Sequence, residues 1–437
     1  LAFRGAAYAQ GGGDRDRDGA TCPPGNPNLV IAAGAVGNEL DLLNEQLESY
    51  MAACPNVLVS ALETPDTSSD RLALYQQFLR ARSSSVDVYA VDLSWTFILA
   101  DDMADLNNFI APDENAITDH IPELIENNTV SGRLVAMPWY VDVGLLYYRT
   151  DLLAAYFGAD AEPPTTWAAL EAMAREIQTG EREGRRAGTD PNLDFHGYLF
   201  QGALGEAVTV NGLEWQAAEG GGTIISADGV VQVDNAATAA AWTRAANWIG
   251  DISPSEVLIH GVEDSRVIWQ AGNAAFMRNW SYAYALGQAN NSAIAGNFEI
   301  APLPAGEAGS ATVLGGWSLA VSSYSNQQSA AVDLVRYLTT PRRQIERAQA
   351  GYNPTILELY ENPDVTEASP QLRQVLETLE SDGMVTRPST VSRERYGEVL
   401  QLYASALHRV LSGDASAENV LPDLAEELEE IVVELGY

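Results

Sequence analysis

The sequence predicts an α/β chain built as two packed domains, and three observations carry that reading. Short apolar runs alternate with segments whose apolar residues recur at helical spacing, a pattern that implies parallel α/β sheets. The chain has 437 residues, more than one hydrophobic core normally serves. Its 46% hydrophobic residues are ample for burial, yet no stretch of about 18 uncharged apolar residues offers a membrane span.

The elements follow in order. Residues 10–27 are mostly Gly, Asp, Arg and Pro without an apolar period and read as a flexible leader. The fold begins at Asn28. An apolar run at 29–33 precedes Leu40, Leu43, Leu47 and Tyr50 at helical spacing, and Val57, Val59 and Ala61 then alternate as in a strand, which makes a βαβ opening. Leu72, Tyr75 and Leu79 share the next helical face, and the apolar stretch 86–91 reads as a buried strand. From 165 to 250 the chain reads as mainly helical, broken by turns at 220–222 and Asp228-Gly229. Apolar runs return at 274–277, 298–301 and 319–321, and the C-terminal third is helical, with Leu424, Leu428, Val432 and Leu435 on one stripe.

Charge narrows the partners. The net charge is −36, and all 24 basic residues are arginine. A polyanion would meet repulsion, so nucleic acid is excluded as a partner; the acidity reads as a solvated surface suited to a salty medium. Ala7-Tyr8-Ala9 is an A-x-A-type cleavage site, so residues 1–9 read as the remnant of a signal peptide and export is expected. Cys22 and Cys54 stand 32 residues apart. In an exported protein their pairing would contribute roughly 3 kcal/mol. The alternatives are a lipid anchor at Cys22 or two free thiols; Gly19-Ala20-Thr21 lacks a lipobox leucine, which favours the disulfide.

Several segments, taken in order, carry a family resemblance. They are Gly37-Asn38-Glu39 at the first helix, Asp92-Leu93-Ser94-Trp95 after the third apolar run, MPWYVDVGLLYYRTDLL at 137–153, QAGNAAFMRNWSYA from Gln270, APLP at 301–304 and LGGWSLAVS from Leu314. In this order and spacing the chain resembles the trehalose/maltose-binding branch of the extracellular solute-binding proteins that serve ABC importers. The resemblance implies a type II periplasmic-binding-protein fold: two discontinuous α/β lobes joined by hinge crossings near 141–145, 300–304 and Pro341. The implied division is a signal remnant and leader at 1–27, an N-terminal lobe of 28–142 plus 303–341, and a C-terminal lobe of 143–302 plus 342–437. Hinge closure would bury the ligand.

A sugar cleft needs carboxylates and amides for hydroxyls beside aromatic faces for C–H patches. By resemblance the sugar-contacting acids are Glu39, Asp92 and Asp142. Glu39 would also serve as a first-turn acid and Asp92 as a helix cap, whereas Asp142 lies inside an apolar segment where a solvated acid is less natural. Trp280 and Trp317 match family positions that touch sugar rings, although tryptophan more often belongs to a core. Gly315 and Gly316, lacking Cβ, would let backbone amides approach the ligand. Trp95, Tyr140 and Tyr282 are further aromatic candidates, and Arg71 and Arg387 resemble family arginines that reach hydroxyls, with surface ion pairs as the plainer reading. The stretch 200–218 keeps Gln201-Gly202 and Glu206 but leaves the far end of the cleft undefined.

Other chemistries find no support. Asp14 to Gly19 copies the first half of an EF-hand loop, but Gly25 stands where a bidentate Glu is required. The four histidines show no metal-ligand spacing, a Walker motif is impossible without lysine, and there is no G-x-S-x-G elbow. The expectation is a monomer without cofactor, metal or catalysis, periplasmic or extracellular, that binds an α-linked disaccharide (trehalose, maltose or sucrose) and hands it to importer permease subunits. A monosaccharide, polyamine or peptide ligand is the alternative, and a glycoside hydrolase, which needs two carboxylates flanking one bond, the remote one.

Overall fold

A computed structural model describes residues 20–186 and 194–437. Residues 1–9, read as a signal-peptide remnant, and the Asp14–Gly19 motif lie outside the described residues. The elements that position the site are, in chain order, β1 (Asn28–Ala33), α1 (Glu39–Ala53), β2 (Leu58–Glu63), α2 (Ser68–Arg80), β3 (Val88–Asp92), β4 (Met137–Arg149), α3 (Trp167–Arg182), β5 (His196–Leu199), α4 (Glu206–Ala218), α5 (Ala236–Trp248), α6 (Val262–Gln270), β6 (Ala274–Trp280), β7 (Phe298–Ala301), β8 (Thr312–Val321), α7 (Gln328–Leu338), α8 (Pro341–Gln349), β9 (Met384–Val385), α9 (Tyr396–Leu411) and α10 (Ala417–Glu434).

The expected βαβ opening is present. β1 pairs in parallel with β2, from Asn28 beside Leu58 to Ala33 beside Glu63, and with β3 on its other side. Leu29, Ile31 and Ala33 are fully buried, as are Leu43 and Tyr50 on the inner face of α1. Cys22 and Cys54 are joined by a disulfide that ties the leader to the end of α1. Replacing Cys54 by alanine is therefore expected to lower stability by about 3 kcal/mol, read as a shift in the urea midpoint at unchanged slope.

The sheets are not all parallel, contrary to the alternation argument. The strand order is β2-β1-β3-β8-β4-β6-β5, with β7 beside β4 and β9 beside β8. β8 runs antiparallel to both β3 and β4, and β4 runs antiparallel to β6 and β7. The reason is topological: β4 and β8 each serve two halves of the molecule and pass between them in opposite directions. Met137 to Val143 of β4 pair with β8, whereas Gly144 to Arg149 pair with β6 and β7. β5, absent from the helical reading of 165–250, pairs in parallel with β6 and is buried throughout.

Two of the expected crossings fall elsewhere. Ala305 N–H donates to the Thr165 carbonyl and Ala308 N–H to that of Ala218, so the chain past 303 still lies against the second half. The passage occurs inside β8, whose Thr312 and Val313 pair with β9 and whose Trp317 to Val321 pair with β3. Past Pro341 the chain likewise stays with the first half. Gln46 Nε2 donates to the Arg343 carbonyl at 3.1 Å, Gln344 Nε2 to that of Trp139 at 2.8 Å, and Ile121 N–H to that of Thr355. Return to the second half comes by β9, which pairs with Thr312 and Val313, and α9 then packs on α4, α5 and α10.

Candidate ligand-binding cleft

The two halves enclose a cavity of about 470 Å³, within the range of small-molecule sites. Ten of the twelve residues expected to contact a ligand line it: Glu39, Asp92, Tyr140, Asp142, Trp280, Tyr282, Gly315, Gly316, Trp317 and Arg387. The other two lie behind the wall. Trp95 is buried with its ring edge-on to Trp317 at 5.2 Å, and Arg71 is fully buried with its guanidinium carbon 4.3 Å from the Trp317 ring centroid. Both therefore support Trp317 rather than face the cavity.

Secondary structure explains why the acids point inward. Glu39 is the first residue of α1, at the positive end of the helix; it is 1% exposed and its Oε1 has no hydrogen-bond partner among the described residues. Asp92 ends β3 and does cap the helical turn after it, accepting from Ser94 N–H at 2.8 Å and Ser94 Oγ at 2.7 Å. It also pairs with Arg387 at 2.9 Å, so capping and cleft lining coexist in one side chain. Asp142 sits where β4 changes partners. It accepts from Ser281 N–H at 3.0 Å and from Ser281 Oγ, while Asn353 Nδ2 donates to Ser281 Oγ at 2.5 Å and to the Val141 carbonyl at 2.9 Å.

Burial foremost pushes the Asp142 carboxyl up to about 7, against the Ser281 hydrogen bonds and the Arg278 charge. The folded protein thus holds a proton that the unfolded chain, with its ordinary value of 3.8, gives up. More protons are bound folded than unfolded in that window, so stability falls as pH rises from 3.8 to about 7. Asp142→Asn, which mimics the protonated acid, is expected to flatten that part of the slope; denaturant melts at several pH values check it, and an unchanged slope would place the titration elsewhere.

A buried ion cluster spans the cleft. Arg387 meets Asp92 from the first half and Glu206, at the start of α4, from the second at 2.6 Å, and Tyr396 OH donates to Glu206 at 3.1 Å. Burial foremost raises the Glu206 pKa; Arg387 opposes that rise and the Asp92 charge adds to it. Burial works against the Arg387 charge, but the two carboxylates more than offset it and hold the guanidinium protonated.

The glycine pair has a packing reason. Gly316 has φ of +137°, and a Cβ there would stand 2.6 Å from the Tyr140 carbonyl oxygen; at Gly315 it would stand 2.8 Å from the Trp280 ring. Trp280 and Trp317 are both partly exposed into the cavity. Tyr140 packs on Tyr352 at 5.0 Å, and Tyr352 OH donates to the Val36 carbonyl.

Several lining residues carried no assignment from the sequence: the loop 66–70 before and into α2, Gln201, Glu206, Glu263, Asp264, Arg278 and Tyr352. Gln201, Glu206 and Arg278 stood in segments whose pattern matched; the rest lie in loops or at helix starts with no periodic signal. With these included, eight carboxylates among the described residues line the cavity against two arginines.

A family model described as "Bacterial extracellular solute-binding protein" matches residues 47–373. The chain is 42% identical over 405 residues to a probable ABC transporter-binding protein of Deinococcus radiodurans, covering 92% of this chain and 93% of that one. Maltose-bound MalE3 of T. maritima superimposes with a TM-score of 0.85 at 33% identity, covering 93% of this chain and 100% of that one. A solute-binding protein of Thermotoga lettingae bound with α-D-tagatose shares the fold, with a TM-score of 0.81 at 21% identity over 93% and 100% of the two chains.

Proposed function

Because the chain belongs to the bacterial extracellular solute-binding proteins, we propose that it is the binding component of a carbohydrate ABC importer and captures an α-linked disaccharide, with trehalose, maltose and sucrose as the candidates. The observation that carries this reading is one cavity lined by the indoles of Trp280 and Trp317 and the acids Glu39, Asp92 and Asp142. Such a lining matches a sugar ring, which offers C–H faces to aromatics and hydroxyl donors to carboxylates. MalE3, at 33% identity, holds maltose. Members of the family are substrate-binding components of ABC transporters and not enzymes.

In this reading the ligand bonds groups from both lobes and closure about β4, β8 and the segment before Arg387 buries it. The lobes divide at 142/143, within 312–317 and between 380 and 388. Glu39, Asp92, Asp142 and Arg387 bond hydroxyls while Trp280, Trp317, Tyr140 and Tyr282 pack on ring faces. Gly315 and Gly316 admit the ligand, and a wrong sugar is rejected because it leaves a desolvated acid unpaired, which costs about 1–3 kcal/mol. The protein works as an exported monomer with importer permeases.

Calorimetric titration with trehalose, maltose, sucrose, glucose, a short peptide and spermidine, with product analysis afterwards, tests the proposal. One-to-one binding of an intact disaccharide is expected. The eight carboxylates against two arginines favour a cationic ligand as the second reading; tight binding of spermidine alone would establish it, and release of free glucose would overturn both.

A further inference from the structure

Arg278 and Glu214 form a buried ion pair beside the cleft, and each is 1% exposed. The pairing is bidentate, with Arg278 Nη2 to Glu214 Oε1 at 2.5 Å and Nε to Oε2 at 2.9 Å. Glu214 comes from α4 and Arg278 from β6, and the pair lies against both strands that pass between the lobes. Glu214 Oε1 also accepts from Val313 N–H of β8 at 3.1 Å. A Cβ on Gly144 of β4 would stand 2.4 Å from Glu214 Oε1 and 2.5 Å from Arg278 Nη2. Only glycine leaves room for the pair at this point of β4.

Arg278 has a second partner. Its guanidinium carbon lies 4.1 Å from the ring centroid of Trp280, two residues on along β6 and so on the same side of the strand. A guanidinium stacks flat on an indole, and the carboxylate fork fixes its plane. Gln201 adds a brace, donating from Nε2 to the Arg278 carbonyl at 2.7 Å. The opposite wall repeats the arrangement with buried Arg71 against Trp317.

We propose that Arg278, held by Glu214, is a positioning residue that sets the plane of the Trp280 indole and ties it to the crossing strands β4 and β8. The proposal rests on the solute-binding reading of the cleft and adds to it that a buried cation, beside the apolar core on which Trp280 also packs, orients the indole. A disaccharide stacks on an indole whose tilt is already fixed, so little ordering is left for the binding event.

Removing Arg278 alone would strand the Glu214 carboxylate, so the test variant replaces both, Arg278→Met with Glu214→Gln, which keeps an acceptor for Val313 N–H. Maltose is the calorimetric probe. The double change is expected to weaken binding about tenfold in the parent chain and less than twofold in a Trp280→Ala background, because its effect runs through the indole. Equal loss in both backgrounds would overturn the proposal, since Arg278 would then act on the ligand directly or on the whole lobe. A second readout needs no ligand: in protein labelled with 5-fluorotryptophan, the fluorine resonance of Trp280 is identified by its loss in Trp280→Phe. That resonance is expected to shift or broaden in the double variant, and an unchanged resonance would overturn the proposal. Failure of the parent chain to bind any sugar would instead count against the carbohydrate reading, leaving the fluorine measurement to decide this one. Should the double variant not fold, Arg278→Lys, which keeps the charge but loses the flat face, is read in the same two ways.

Discussion

Trp280→Ala is expected to weaken disaccharide binding by 10- to 100-fold, about 1.4–2.7 kcal/mol, in a protein that still folds. The indole is partly exposed to the cavity, with one guanidinium behind it and Gly315 close to its ring. Its removal therefore takes apolar surface from the ligand's side. Contact with an aromatic face supplies area burial plus an electrostatic preference for C–H groups, both of which alanine loses. Calorimetry against the disaccharide that the parent chain binds, with a thermal melt to establish folding, checks the result. Unchanged affinity in a folded variant would remove Trp280 from the site.

The second large effect is on stability. Arg387→Met is expected to cost about 3–5 kcal/mol, because it leaves Asp92 and Glu206 buried with no cation between them. The loss also depends on pH, with a definite sign. Burial already raises the Glu206 pKa and Arg387 opposes that rise, so without Arg387 it would rise further and the variant would recover stability as pH falls, unlike a simple packing defect. Glu206→Gln in the same chain is expected to restore part of the loss. Urea melts at pH 5 and pH 8 measure both effects; a loss below about 1 kcal/mol at pH 8 would mean that water, and not Arg387, compensates the two carboxylates.

Much of the architecture was legible because its signals are short-range. The alternation in 57–61 and the helical spacing of Leu40, Leu43, Leu47 and Tyr50 reappear as β2 and α1, and the apolar setting of Asp142 anticipated a buried acid. Trp280 and Trp317 were reached through ordered motifs, since the sequence carries nine tryptophans and composition does not separate a cleft indole from a core one such as Trp215. Where local pattern was the only guide, β5 was hidden by its four-residue length, and the resemblance that named Arg71 and Trp95 did not show that they pack on Trp317.

By itself the sequence determined the βαβ opening, the helices, the acidic character and the family, because period, capping chemistry and motif order are written along the chain. Tertiary structure alone decided where the chain passes between lobes, which strands run antiparallel, and which polar residues meet across the cleft. Arg387, Asp92 and Glu206 come from three distant segments, and so do Glu214, Arg278 and Gly144. Such meetings are set by the direction of β4 and β8 through the sheet and by burial that forces charges to find partners, and neither leaves a local mark on the sequence.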